Sequence, residues 1–74
     1  MVNTTVHFKI GRIEFECDIE YTTFRDDTGR EFIDYCSPLS ILIKIPRHGW
    51  RAVDPMKLRA AQKSNVISHA VQAI

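Results

Sequence analysis

The sequence predicts an α+β fold, with a three- to four-stranded antiparallel meander sheet and one C-terminal amphipathic helix packed on its apolar face. Two observations predict it. Apolar and acidic residues alternate without exception from Ile13 to Tyr21, which is the period of a half-buried β-strand. After Asp54-Pro55, apolar residues recur at helical spacing to the end of the chain. The 74 residues suffice for one small domain, residues 1–74.

The first two strands, at about residues 4–10 and 13–24, are predicted to form a hairpin around Gly11-Arg12. A two-residue loop with glycine first is typical of a type II′ turn. The register set by this turn pairs apolar residues with each other on one face. On the other face it places Lys9 opposite Glu14, so both faces support it.

The segment from Asp26 to Arg30 predicts a turn closed by Gly29 in the left-handed conformation, followed by a third strand at about residues 30–36. The register places Phe24 opposite Phe32 on the acidic face of the second strand. Two phenylalanine rings on a charged face require a cover, which makes them candidates for a contact surface.

The same register pairs Tyr21 with Tyr35 on the core face. It directs Cys17 into the core and Cys36 away from it, so we expect two separate thiols and no disulfide. Two cysteines are also too few for a small secreted scaffold, which indicates a reducing, cytoplasmic location.

Ser37-Pro38 interrupts the strand pattern, and the β-branched residues at 39–45 predict a fourth strand. The Ser-Pro pair could instead cap one helical turn, so residues 38–45 are left open between strand and helix. Residues 47–51 are expected to form a loop. Asp54-Pro55 then predicts a helix at about residues 55–73, because Asp can cap free N–H groups and Pro suits the first helical position.

Several classes of protein do not fit the sequence. The longest apolar-rich run, Leu39 to Ile45, is far shorter than the about 20 residues of a membrane span, and the N-terminus lacks the pattern of a signal peptide. We therefore expect no association with a membrane.

Residues that could carry chemistry are few and badly spaced. Cys17, Cys36, His48 and His69 are separated by 18, 11 and 20 residues, unlike the close pairs of structural zinc sites. His7 is predicted on the polar face, away from Cys17, and no phosphate loop or nucleophile motif is present. The sequence predicts no enzyme, no metal site and no cofactor.

The charges are unevenly divided along the chain. Residues 1–37 carry four Lys and Arg against eight Asp and Glu, a net charge of −4, whereas residues 38–74 carry six against one, a net charge of +5. The leading hypothesis is a small non-enzymatic interaction protein, such as a regulator or inhibitor, that binds protein or itself. Its candidate interface consists of the two exposed rings and the acidic row of the second strand: Phe24, Phe32, Glu14, Glu16, Asp18 and Glu20.

The alternative is nucleic-acid binding by the basic half. Lys and Arg side chains would contact phosphates, and one tryptophan would stack on a base. The residues of this basic set are Lys44, Arg47, Trp50, Arg51, Lys57, Arg59 and Lys63. The chain lacks the signatures of helix-turn-helix, zinc-finger and RRM modules.

Overall fold

The computed structural model describes residues 1–74 and contains the predicted α+β fold, a four-stranded antiparallel meander in the order β1-β2-β3-β4 with one helix on it. The strands are β1 (Val2–Ile10), β2 (Ile13–Arg25), β3 (Glu31–Ile45) and β4 (Gly49–Val53). A 3₁₀ turn at Pro55–Lys57 leads to helix α1 (Ala60–Ala73).

The first hairpin confirms the predicted register. Gly11 has a φ of 62°, as the first position of a type II′ turn requires. Phe8 pairs with Phe15, and their rings stack with centroids 5.1 Å apart. On the opposite face the Lys9 ammonium lies 3.8 Å from the Glu14 carboxylate. Local turn chemistry and side-chain pairing therefore agree across this hairpin.

The second turn is also formed as predicted. Gly29 has a φ of 85°, and its N–H donates to the Asp26 carbonyl at 3.0 Å. The pairing of Phe24 with Phe32 follows from this turn and is confirmed.

The predicted pairing of Tyr21 with Tyr35 is wrong. A bulge in β3 leaves Asp34 without a partner, so the register shifts and Tyr21 pairs with Cys36. Cys36 therefore lies on the core face and packs against the core, contrary to the outward position predicted for it. Both cysteines, Cys17 included, are free thiols.

The third and fourth predicted strands are one strand, β3. Instead of breaking the strand or starting a helical turn, Pro38 pairs with Ile19 beside a second bulge at Leu39. Proline cannot donate to a ladder, but β4 pairs with β3 only from Ile41 onward, so Pro38 lies where that edge of β3 has no neighbour.

The prediction of a loop at residues 47–51 is wrong, since β4 begins within this segment, at Gly49. The turn before β4 is tight: the His48 N–H donates to the Ile45 carbonyl at 3.0 Å, and Gly49 has a φ of 74°. A strand as short as β4 has too few residues for its alternation to stand out.

The α-helix also begins later than predicted. Asp54 does act as a cap, accepting from the Met56 N–H at 2.9 Å, but it caps only the 3₁₀ turn. Leu58 returns to an extended conformation, with a ψ of 140°, and packs against the core. The α-helix starts at Ala60, after this anchor.

The core is small and lies between α1 and the middle of the sheet. Only 7 of the 74 residues are buried. The hydrophobic ones are Val6, Cys17, Ile19, Ile41, Val66 and Ala70. Each therefore contributes a large share of the stability.

Replacing Ile19 by Ala should destabilise the protein by about 2–5 kcal/mol, because this side chain is 1% exposed and its removal leaves a cavity. Glu16→Ala, on the opposite face of the same strand, is the control and should cost less than about 1 kcal/mol. Urea unfolding monitored by circular dichroism measures both. Equal losses would mean that the faces of β2 are wrongly assigned.

The buried thiol of Cys17 predicts a loss of stability at alkaline pH. Burial, with a smaller contribution from the charge of Asp18, raises the pKa of Cys17 from 9.0 to about 11. Below pH 9 the thiol is neutral in both states. Above it the unfolded chain releases the proton while the folded chain keeps it, so stability falls as pH rises through this window.

The expected loss is about 2–3 kcal/mol between pH 9 and pH 11, at 1.36 kcal/mol per pKa unit. Urea unfolding across this range should show a shallower decline for Cys17→Ala than for the native chain. Parallel declines would show that this thiol does not contribute to the pH dependence.

Candidate protein interface

The strands β2 and β3 extend past every element that flanks them. β1 pairs with β2 only as far as Tyr21, and β4 pairs with β3 only at Ile41–Ile45. Residues 22–35, here called the arm, therefore continue as a two-stranded ribbon that closes in the turn after Arg25. This projection accounts for the elongated shape, 48 × 20 × 20 Å.

Two stacked aromatic rings lie near the tip of the arm. The centroids of Phe24 and Phe32 are 5.4 Å apart and the ring planes are inclined by 24°. The guanidinium of Arg30 lies 5.4 Å from the centroid of Phe32. Even so, Phe24 remains 48% exposed and Phe32 38% exposed. The stack holds the rings in place but does not cover them.

A third ring lies on the same face. Because of the bulge at Asp34, Tyr35 pairs with Thr22 and faces outward beside the phenylalanine pair, instead of facing the core as predicted. It is 47% exposed. The sequence carries no signal for this bulge, so the sequence alone does not predict that Tyr35 joins the exposed phenylalanine rings.

Polar contacts hold the arm together where no core supports it. The Thr22 hydroxyl donates to Asp34, and the Thr23 hydroxyl donates to Glu31 at 2.8 Å. An isolated two-stranded hairpin is only marginally stable, so these cross-strand bonds matter for the order of the ribbon.

The turn at the tip is organised by one carboxylate. Asp26 accepts from the backbone N–H of Thr28 at 2.9 Å and of Arg30 at 3.0 Å. The Thr28 hydroxyl, with smaller contributions from backbone N–H groups, holds the pKa of Asp26 below its usual value. The tip is therefore a closed turn rather than a loose loop.

The acidic row lies on the same face of the sheet as the aromatic pair but is partly neutralised. Glu14 contacts Lys9, and Glu16 lies 3.7 Å from the His7 ring nitrogen. Glu20, by contrast, pairs with neutral residues on both neighbouring strands. The unbalanced negative charge of the row therefore lies toward the arm.

Asp18 is held by hydroxyl groups on both sides. Thr5 donates to one carboxylate oxygen at 2.6 Å and Ser40 to the other at 3.1 Å, and these bonds lower the pKa of Asp18. Its two hydrogen bonds link β1, β2 and β3 on the exposed face of the sheet.

The basic set is not gathered on one surface. Lys44 and Trp50 pair across β3 and β4 on the acidic face, with the ammonium 6.0 Å from the ring centroid. Arg51 is the next residue of β4 and so points to the opposite face. Of the remaining members, Arg47 and Lys57 lie in turns, Arg59 immediately precedes α1, and Lys63 lies within it.

One of the residues considered for metal binding, His69, has other partners. The ring of His69 stacks on Phe8 at 5.9 Å, and its Nδ1 lies 2.9 Å from the Asn65 carbonyl oxygen. No group of three or more His, Cys, Asp or Glu side chains is arranged to hold a metal ion. None of the helices has the length and apolar character needed to cross a membrane.

Comparisons with protein-family models, with curated proteins and with solved structures find no match.

Proposed function

We propose that this protein is a non-enzymatic interaction protein, acting as a small regulator or inhibitor, and that the arm is its protein-binding element. The observation that carries the proposal is the stacked pair Phe24 and Phe32, exposed at the end of a ribbon that no other element covers. Exposed aromatic rings surrounded by charged groups are typical of contact sites.

The contribution of the two rings to the free energy of binding depends on their preorganisation. Aromatic side chains have few rotamers to lose, and the stack of Phe24 on Phe32 restricts them further before a partner arrives. An aromatic hot spot contributes about 2 kcal/mol or more to a complex. Two such rings acting together correspond to about a thousandfold in affinity, at 1.4 kcal/mol for each factor of ten.

Two features support a non-enzymatic role. Cys17 is buried and its raised pKa, about 11, keeps the thiol neutral at physiological pH, whereas a nucleophilic cysteine needs the thiolate. His7 lies on the opposite face of the sheet and pairs with Glu16. Two free thiols, one fully buried, also favour the reducing environment of the cytoplasm.

Nucleic-acid binding is the second candidate. It is favoured by the pairing of Lys44 with Trp50, whose ring is 47% exposed and could stack on a base beside a cation. It is disfavoured by Glu14, which pairs with Lys44 from the other side.

The double substitution Phe24→Ser with Phe32→Ser should abolish partner binding or self-association and leave the fold cooperative, because both rings lie outside the core. Light scattering measures association, and thermal unfolding monitored by circular dichroism measures the fold. Leu39→Ser is the matched control, since Leu39 is 49% exposed but lies outside the arm. Non-cooperative melting of the double variant would assign the rings to the folding core instead.

Titration with single- or double-stranded oligonucleotides at low salt should leave the fluorescence of Trp50 unchanged, because the basic set is divided between two faces. A fluorescence change that weakens steeply with added salt, and that Lys44→Ala reduces, would favour the second candidate.

A further inference from the structure

An apolar groove lies between the start of α1 and the sheet, at the end of the molecule away from the arm. Its volume is about 260 Å³. Apolar side chains dominate its lining, among them Ile10, Phe15, Ile43, Val53 and Leu58. Two amide side chains of α1, Gln62 and Asn65, complete it.

The groove and the exposed rings cannot meet within one chain. Phe15 lines the groove and Phe24 belongs to the arm, and both lie on the same strand, β2, nine residues apart. At about 3.3 Å per residue this separation is about 30 Å. Successive side chains also alternate, so the two residues point to opposite faces. Any contact between the rings and such a groove is therefore between molecules.

Basic residues are close neighbours of the groove's lining residues, across the sheet or along the chain. Arg51 pairs with Ile43, a lining residue, on the same face of the sheet. Lys57 and Arg59 flank Leu58, and Lys63 follows Gln62. The residues from Arg51 to Lys63 include a single acidic one, Asp54.

The arm carries the opposite charge. Its residues 22–35 include two arginines and four Asp or Glu, a net charge of −2. Apolar rings within an acidic ribbon thus complement an apolar groove whose lining residues have basic neighbours. Complementary potentials of this kind select partners and orient their encounter.

We propose that the occupant of the groove is the arm of a second copy of this chain, with Phe24 and Phe32 covering the apolar lining. The inference rests on the proposed function and names its partner. The contact is head to tail, so an assembly keeps one free arm at one end and one free groove at the other unless a ring closes.

The dimensions favour side chains over a small-molecule ligand. Binding sites for drug-sized ligands occupy about 300–1,000 Å³, above the 260 Å³ of this groove. We also expect a contact made by one ribbon tip to bury less than the about 800 Å² per partner of a standard interface. The association should therefore be weak, concentration-dependent and reduced by salt.

Two complementary variants test the arrangement. Phe24→Ser with Phe32→Ser removes the rings and leaves the groove, while Asn65→Trp fills the groove and leaves the arm. Asn65 is exposed on α1, so the larger side chain does not enter the core. Ser64→Trp, at the adjacent exposed position that does not line the groove, is the matched control.

Sedimentation velocity at increasing concentration is the measurement. For the native chain and for Ser64→Trp, the mass of the sedimenting species should exceed twice the 8.6 kDa of one chain. Each complementary variant alone should remain a monomer. Their mixture should form a one-to-one dimer and grow no further, because only one arm and one groove are left to pair.

Other outcomes overturn different parts of the argument. If the native chain associates but the mixed variants stay monomeric, the arm binds a surface other than the groove, and only the head-to-tail inference fails. A native chain that remains monomeric at high concentration and low salt also removes that inference. If the double serine variant associates as well as the native chain, the proposed function of the arm fails too.

Discussion

The unequal length of the strands determines the rest of the structure. β2 and β3 span 13 and 15 residues, whereas β1 and β4 span 9 and 5. Where β1, with or without β4, flanks the two long strands, the apolar face of the sheet packs against α1 and forms the core. Where β2 and β3 continue alone, the same backbone ladder has no core to cover, and polar cross-strand bonds replace packing. The arm and its exposed rings are direct consequences of this difference in length.

The residues proposed for binding are distinct from the residues of the folding core. The residues of the hydrophobic core all lie outside the arm, and among them Cys17 and Ile19 of β2 lie beside Ile41 of β3. The rings of Phe24 and Phe32 stack on each other and contribute no side chain to this core. In a domain with so few buried residues, an exposed aromatic pair gains little for folding, because water still reaches both rings. Its physical value is realised only when another surface excludes that water.

Local chemistry predicted most of the fold, and non-local pairing accounts for the failures. Gly11 and Gly29 identify both turns because each turn needs a positive φ. The bulges at Asp34 and Leu39 lie just beyond the points where the pairing with β1 and with β4 ends, and no short window of sequence contains this long-range pairing. Within the candidate site, the position of the phenylalanine pair could be predicted from the turn register. The position of Tyr35 depends on a bulge, and the groove depends on the packing of α1, so neither could be predicted.

The edges of the sheet favour contact through a face over addition of a strand. The edge of β3 beyond β4 carries Pro38, which has no N–H to donate, and two bulges that interrupt a regular ladder. The free edge of β1 carries His7 and Lys9, and lysine on an edge strand discourages pairing with another sheet. The aromatic face of the arm has no comparable protection apart from Arg30 beside Phe32. Charge at the edges and exposed rings on a face together favour the proposed association through the side chains of the arm over pairing of its backbone.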